Sequence, residues 1–368
     1  MTVVQGSLLT PSGFVEGRLV IDDGRIAAIE GRPVDEAAAR QARQLIVPGF
    51  IDLHVHGGGG ADTMDAGEAV TTLARLHARH GTTALLATTM TAPMGDIEAA
   101  LHALAPHFAQ RATGGARVLG VHLEGPYISA AKLGAQPAYA RPPMLDEILA
   151  LHAIAPIRLV TIAPELAGSL ALIPQLVEAG MRVQIGHSDA SYEQAVAALD
   201  AGASGFTHLF NAMSPLHHRA PGVAGAALAH AEQAELIPDL LHVHPGAIRA
   251  ALRVVPGLFC VTDATAAAGM PDGDYRLGRQ TVHKCLGGVR LADGTLAGST
   301  LTMDQALRNL VGLGLPLAEA SACLSARPAR YLRLVDRGRL EPGAWADAVV
   351  LDAATLQLQQ VIIEGEPI

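Results

Sequence analysis

Along the middle of the chain, short runs that are apolar almost throughout alternate with longer mixed stretches. The apolar runs are Gly49–His56, Thr83–Thr89, Val118–Glu124, Arg158–Ala163, Arg182–His187, Gly205–Leu209, Leu236–Val243 and Leu258–Asp263. They read as strands covered on both faces. Helical stretches fall between most of them: Gly67–His80, Asp96–Gln110, Leu145–Ala155, Leu170–Ala179, Tyr192–Ala201 and Gly246–Val255, with later helices at Thr302–Leu313 and Leu317–Ala326. Eight such strands, mostly followed by helices, predict an α/β fold, a (β/α)8 TIM-like barrel. An open doubly wound sheet is the alternative. It would carry a glycine-rich phosphate loop after the first strand, where this chain has His-Val-His.

The two ends read differently. Thr2–Val4, Gly17–Val20, Arg25–Ile29 and Gln44–Val47 are short strands, with a hairpin turn at Asp23-Gly24. Ala348–Leu351 and Leu356–Ile363 repeat the pattern at the other end. The expected organisation is therefore a β-sandwich built from both termini (1–47 and 335–368) flanking a barrel over 48–334.

Composition narrows the class. Half the residues are hydrophobic and 17% are charged, which excludes a disordered chain. The net charge is −9 with no basic stripe, so nucleic acid is not an expected partner. No apolar run reaches spanning length, and Met1–Thr10 lacks a basic leader, so neither a membrane nor export is expected. Cys260, Cys285 and Cys323 form no CxxC and cannot all pair, which favours a reducing, cytoplasmic setting.

Catalytic groups of a barrel sit at the C-terminal ends of its strands. Here those ends carry His54 and His56, Glu124, His187, His208 and Asp263. The two-residue period of a strand puts His54 and His56 on one face. Six nitrogen and carboxylate donors from five strands suit one or two divalent ions, with Zn, Fe, Mn and Co all open. Such an ion lowers the pKa of a bound water to about 7 and polarises a carbonyl. Asp263, closing the last strand, is the natural proton carrier. A lone HxH is weak evidence, since His242-Val243-His244 repeats it. His77, His80, His102, His107, His152, His230 and His283 read as hydrogen-bonded core or surface residues, and His122 as a structural or supporting one.

These residues lie in segments that identify a family. Pro48-Gly-Phe-Ile-Asp-Leu-His-Val-His-Gly, Gly60-Ala-Asp-Thr-Met-Asp, His122-Leu-Glu-Gly-Pro-Tyr-Ile, Gly186-His-Ser-Asp-Ala, Thr207-His-Leu-Phe-Asn-Ala-Met, Val261-Thr-Asp-Ala-Thr and Ala297-Gly-Ser-Thr-Leu-Thr-Met run nearly end to end. The chain resembles the amidohydrolase superfamily and, within it, the N-acetylglucosamine-6-phosphate deacetylases. The closing Gly338-Arg-Leu-Glu-Pro-Gly-Ala-Trp-Ala-Asp-Ala-Val resembles the superfamily's sandwich signature. Only two of the 26 basic residues are lysines, Lys132 and Lys284, and neither is near the end of the fourth strand. The bridging carboxylated lysine of many superfamily members therefore has no counterpart, and Glu124 is left as the shared ligand.

The resemblance implies hydrolysis of the acetamide of N-acetylglucosamine 6-phosphate by a metal-activated hydroxide, with Asp263 as general base and acid. It assigns Glu124, His187 and His208 to a principal metal. It assigns His54 and His56, with Glu124 and Asp263, to a second. His242 looks like the residue that polarises the acetyl carbonyl. Asn211 and the backbone N–H of Ala212 look like part of a phosphate site. Arg219 looks like the arginine that reaches the neighbouring site of a homodimer, with His217 and His218 as nearby donors. A frequent family histidine is replaced by Gln136, which either contacts the sugar or lies in a surface turn. Two alternatives remain: a deacetylase of N-acetylgalactosamine 6-phosphate or another N-acyl sugar, and a non-catalytic metal-stabilised scaffold.

Overall fold

Phe50–Val55 is buried at every position, as are Thr82–Thr88 and nearly all of Arg117–Glu124 and Ile157–Ile162. Strands with no wet face need cover on both sides, and helices provide it on the outside. The computed structural model describes residues 1–368. These four strands, followed by Arg182–Ile185 and Gly205–Phe206, pair in sequence order as one six-stranded parallel sheet. Glu235–Leu236 and Phe259–Cys260 pair in parallel as the seventh and eighth strands. Main-chain hydrogen bonds close the cylinder. Leu209 N–H donates to the Glu235 carbonyl at 2.9 Å, and Asp263 N–H to the His54 carbonyl at 2.9 Å. The expected barrel is thus found.

The later strands are short for a local reason. His187, His208 and Asp263 have φ of 46°, 30° and 50°. Left-handed backbone cannot continue a strand, and non-glycine residues adopt it at a cost. Each strand therefore breaks where its polar residue turns toward the barrel mouth.

The two chain ends meet as expected. They form a seven-stranded sheet whose order runs Glu366–Pro367, Leu358–Ile363, Ala348–Asp352, Gln44–Pro48, Thr2–Thr10, Gly13–Asp22, Arg25–Val34. The sheet owns a separate core of 11 buried residues, including Leu8, Leu19, Ile46 and Val350. The sheet's other face, with Leu9, Leu45, Val349 and Ile363, joins the barrel and its helices in a core of 80. The first barrel strand follows directly on Gln44–Pro48, so sheet and barrel are covalently in line.

Three departures from the sequence reading matter for the site. The seventh strand does not run through Leu236–Val243. It stops at Leu236, and His242 rides on the loop that follows. A helix at Gly222–His230 is absent from the sequence reading, because Gly222 and Gly225 disfavour helix. It forms because Val223, Ala226 and Ala227 bury completely against the barrel. Finally, Gly273–Leu277, Gln280–Cys285 and Gly288–Arg290 form a small antiparallel sheet over the mouth. Its sequence marks are faint: turns at Gly278-Arg279 and Leu286-Gly287, and strands with too few apolar residues to stand out beside the barrel runs. Proline also divides one expected helix into Met94–Leu104 and Pro106–Ala109.

Candidate active site and metal centre

The barrel mouth gathers the six strand-end donors. Glu124, the last residue of the third strand, lies at the middle. Its Oε1 is 3.1 Å from His187 Nε2 and 3.1 Å from His208 Nε2. Its Oε2 is 3.1 Å from His56 Nε2 and 3.4 Å from His54 Nε2. Asp263 Oδ1 lies 3.4 Å from His56 Nε2 and 3.5 Å from His54 Nε2. All six are buried. The donor atoms fall into two groups, Glu124/His187/His208 and His54/His56/Asp263, with Glu124 between them.

The residues fit divalent ions. His187 Nε2 faces His208 Nε2 at 3.1 Å, and His54 Nε2 faces His56 Nε2 at 3.2 Å. Neutral rings meeting nitrogen to nitrogen can share one proton at most, and two protonated ones repel. A cation placed between such nitrogens and carboxylates satisfies every lone pair at once. Nitrogen and oxygen donors of this kind suit Zn, Fe, Mn or Co.

Electrostatics follow from the same crowding. Burial alone would raise Glu124, yet the facing imidazoles of His54 and His187, with hydrogen bonds from His187 and His208, hold it well below the usual carboxylate range. Asp263 is likewise pushed up by burial and pulled lower overall by His54 and His56. Burial opposes charging His56, but Asp263 and Glu124 win and raise it to about 9. His122 is driven well below its ordinary value, chiefly by burial and by His54. Its Nε2 instead meets the Thr161 hydroxyl at 2.7 Å, so it is a neutral, packed residue beside His54.

A cavity of about 230 Å³ opens over these groups. His56, Glu124, Gln136, His187, His208, Asn211, Ala212, His242 and Asp263 line it, with Met90, Leu277 and Leu296 as apolar wall. His242 reaches it because Asp239 Oδ2 accepts from Nδ1 at 2.7 Å. Burial opposes protonation of His242, and the Asp239 contact outweighs it and raises the ring. With Nδ1–H given to Asp239, Nε2 is a donor only in the doubly protonated ring, the form that Asp239 favours. His244 plays another part. Its side chain accepts from Gly246 N–H and caps the helix Pro245–Val254.

Gln136 is not a surface-turn residue. It is buried, its Nε2 donates to Glu124 Oε2 at 2.7 Å, and its Oε1 accepts from Thr91 N–H at 2.7 Å. Asn211 donates from Nδ2 to the carbonyls of His208 and Leu209, and Ala212 beside it has φ of 49°. Arg219, His217 and His218 stay outside the cavity on an exposed loop. The histidines expected to be ordinary have ordinary partners where they are bonded. His77 donates to Gly57 O, His80 meets Asp304, and His283 meets Asp274.

Sequence reasoning missed Asp239 and Glu235. The signal for Asp239 is its spacing three residues before His242. For Glu235 it is a charged residue within the apolar run Ala234-Glu-Leu-Ile. Glu235 is fully buried, and its Oε2 accepts from His54 Nδ1 at 3.1 Å. Lys132 enters through its carbonyl, which accepts from His187 Nδ1 at 2.8 Å.

Comparison with known proteins agrees with this geometry. The amidohydrolase family model matches residues 45–368. The N-acetylgalactosamine-6-phosphate deacetylase of Escherichia coli O157:H7 is 44% identical over 98% of this chain and 97% of its own. The N-acetylglucosamine-6-phosphate deacetylase of Lysinibacillus sphaericus is 41% identical over 93% of this chain and 91% of its own. A solved Mycobacterium smegmatis N-acetyl-D-glucosamine-6-phosphate deacetylase, an aspartate-to-alanine variant in complex with N-acetyl-D-glucosamine-6-phosphate, superposes with a TM-score of 0.91 at 38% identity, covering 100% of this chain and 98% of that one. This chain belongs to the amidohydrolase family.

Proposed function

We propose that this protein hydrolyses the acetamide of N-acetylglucosamine 6-phosphate to glucosamine 6-phosphate and acetate. The observation that carries the reading is the gathering of Glu124, His187, His208, His56 and Asp263 around one small cavity, with His54 buried against Glu124 and Asp263, in a chain whose full-length relatives are named for this deacetylation.

Glu124, His187 and His208 would hold one divalent ion, and His54, His56 and Asp263, with Glu124 shared, a second. When bound, such an ion acidifies a water and polarises a carbonyl. The remaining chemistry belongs to the chain. Asp263 accepts the proton of the attacking water and returns it to the departing nitrogen, so the amine leaves neutral as the C–N bond breaks. His242, in the protonated form that Asp239 favours, donates from Nε2 to the oxygen that gains charge in the tetrahedral state. Gln136 sits between Glu124 and the sugar position. Asn211 and the Ala212 N–H take the phosphate, and Arg219 of the partner subunit completes it in a homodimer. A guanidinium fork suits a dianion. The protein is further taken to act in the cytoplasm, on the strength of its cysteine pattern; no helix is long and apolar enough to cross a membrane.

One observation favours a second substrate. The relative at 44% identity is named for the N-acetylgalactosamine epimer. Acetate release from both N-acetylhexosamine 6-phosphates and from unphosphorylated N-acetylglucosamine, with metal analysis on the same sample, tests the reading. Preference for the gluco epimer supports it, and preference for the galacto epimer replaces it with the second. Equal turnover of the unphosphorylated sugar removes the phosphate site, and no acetate with either ester sinks the proposal.

A further inference from the structure

Two imidazoles at the mouth have their distal nitrogens tied, and they are tied differently. His187 Nδ1 donates to a neutral main-chain carbonyl, that of Lys132. His54 Nδ1 donates instead to the carboxylate of Glu235, 181 residues away on the seventh strand. The Nδ1 atoms of His56 and His208 are buried with no partner in the chain. Glu235 is itself completely buried. The carboxylate's ion-pair contact is His54 alone, its Oε1 has no partner, and the side chain's only other hydrogen bond is a long one from His208 N–H at 3.4 Å. A buried carboxylate so sparsely partnered is costly unless positive charge is held nearby.

The contact decides which nitrogen of His54 carries the proton. An ionised carboxylate only accepts, so the single N–H of a neutral ring must sit on Nδ1. The lone pair is then on Nε2. That atom lies 3.2 Å from His56 Nε2, 3.4 Å from Glu124 Oε2 and 3.5 Å from Asp263 Oδ1, among the donors of the second group. We propose that Glu235 is a positioning residue for that group: it locks His54 in the tautomer and orientation that presents Nε2 to a divalent ion, and it supplies the buried negative charge that selects for the ion there. The inference rests on the metal-hydrolase reading of the site but not on its substrate. It is selective, because nothing ties Glu235 to the imidazole of His187, and its contact with His208 is to the backbone.

The test reads metal occupancy. Metal-free parent, Glu235→Gln and Glu235→Ala are titrated with Zn²⁺ against a chromophoric chelator, and anomalous diffraction locates the ions. The parent is expected to take two ions per chain. Glu235→Ala is expected to weaken the ion at His54/His56/Asp263 by roughly 10–100-fold, with the one at Glu124/His187/His208 unchanged. Glu235→Gln can still accept through its amide oxygen and should fall between the two. If Glu235→Ala fails to fold, Glu235→Gln decides by the same site-selective loss.

Parental affinity at both positions in the folded variants overturns the proposal. So does equal weakening at both positions with a lower Tm of the metal-free protein, which marks a merely structural carboxylate. A parent that binds a single ion at every Zn²⁺ concentration overturns it too. A parent that binds two ions yet releases no acetate leaves this inference standing and removes the proposed reaction.

Discussion

At the scale of single residues, the site is a set of donors whose protons are controlled by neighbours. Asp263 shows how a role can be separated from a ligand position. Asn at 263 keeps the size and one oxygen but cannot take a proton. Asp263→Asn should lower kcat by on the order of 10²–10⁴-fold, with metal content at saturating metal close to the parent's. Steady-state rates paired with metal analysis check both halves, and parental turnover would take Asp263 out of the mechanism. Gln136 makes a different point. It bridges Thr91 N–H and Glu124 Oε2 with both ends of one amide, inside the protein. Gln136→Leu fills similar space but leaves the Thr91 N–H buried and unpaired. Denaturant unfolding should show a loss of about 1–3 kcal/mol, with a rise in KM from the altered wall.

At the scale of elements, strand ends and the loops after them do the positioning. The loop after the eighth strand holds Asp263 with φ of 50°, and it is braced by Gly298, at φ of 60°. A Cβ on Gly298 would lie 2.5 Å from the Thr265 side chain and 2.9 Å from the Asp263 carbonyl. Only glycine fits there without moving the backbone that carries Asp263. Gly298→Ala should destabilise by about 1–3 kcal/mol and lower kcat more than it changes KM. Thermal melts alongside steady-state kinetics read this. An unchanged kcat would mean that the loop tolerates the shift. The small sheet of Gly273–Arg290 is positioned in a comparable way: Gly278 N–H donates to the buried Asp62 at 3.2 Å, and Gln280 reaches the Ala135 carbonyl at 2.5 Å. Leu277 thereby becomes a cavity wall.

At the scale of the whole molecule, the terminal sheet and the barrel meet at a charged seam. Glu364 accepts from Arg117 through two contacts of 2.8 Å and pairs with Arg111 and Arg337. Partial burial pushes its carboxyl up, but Arg117 and Arg337 dominate and bring it from 4.5 down to about 2. A carboxylate depressed on folding contributes stability that is present in full above its unfolded value. That contribution is lost as pH falls from about 4.5 toward about 2. The parent's Tm should therefore drop through this window, and Glu364→Gln should start lower and change less across it. Parallel slopes for the two proteins would remove Glu364 from the seam. Assembly belongs to this scale as well. Arg219 is exposed and outside its own chain's cavity. In a homodimer, Arg219→Ala should raise KM for phosphorylated substrate by roughly tenfold or more, about 1.5 kcal/mol for a charge-assisted contact, and leave kcat little changed. A monomer in sedimentation with full affinity for the phosphate would exclude this route.

Much of this was legible locally. A strand covered on both faces must be apolar along its length, so the eight runs and their polar ends are visible without any fold, and His54, His56, Glu124, His187, His208 and Asp263 stand out as the places where apolar character stops. The chain's two β-rich ends announce themselves by the same periodicity. What tertiary structure alone decided is who faces whom. The short seventh strand puts His242 on a loop, where Asp239 rather than strand geometry aims it. Gln136 turned out to be an inner brace and Glu235 the partner of His54, contacts that join residues 12 and 181 positions apart. Periodicity reports which side chains leave water. The proton a ring carries and the partner a buried carboxylate finds depend on distances across the barrel, and these exist only once the cylinder has closed.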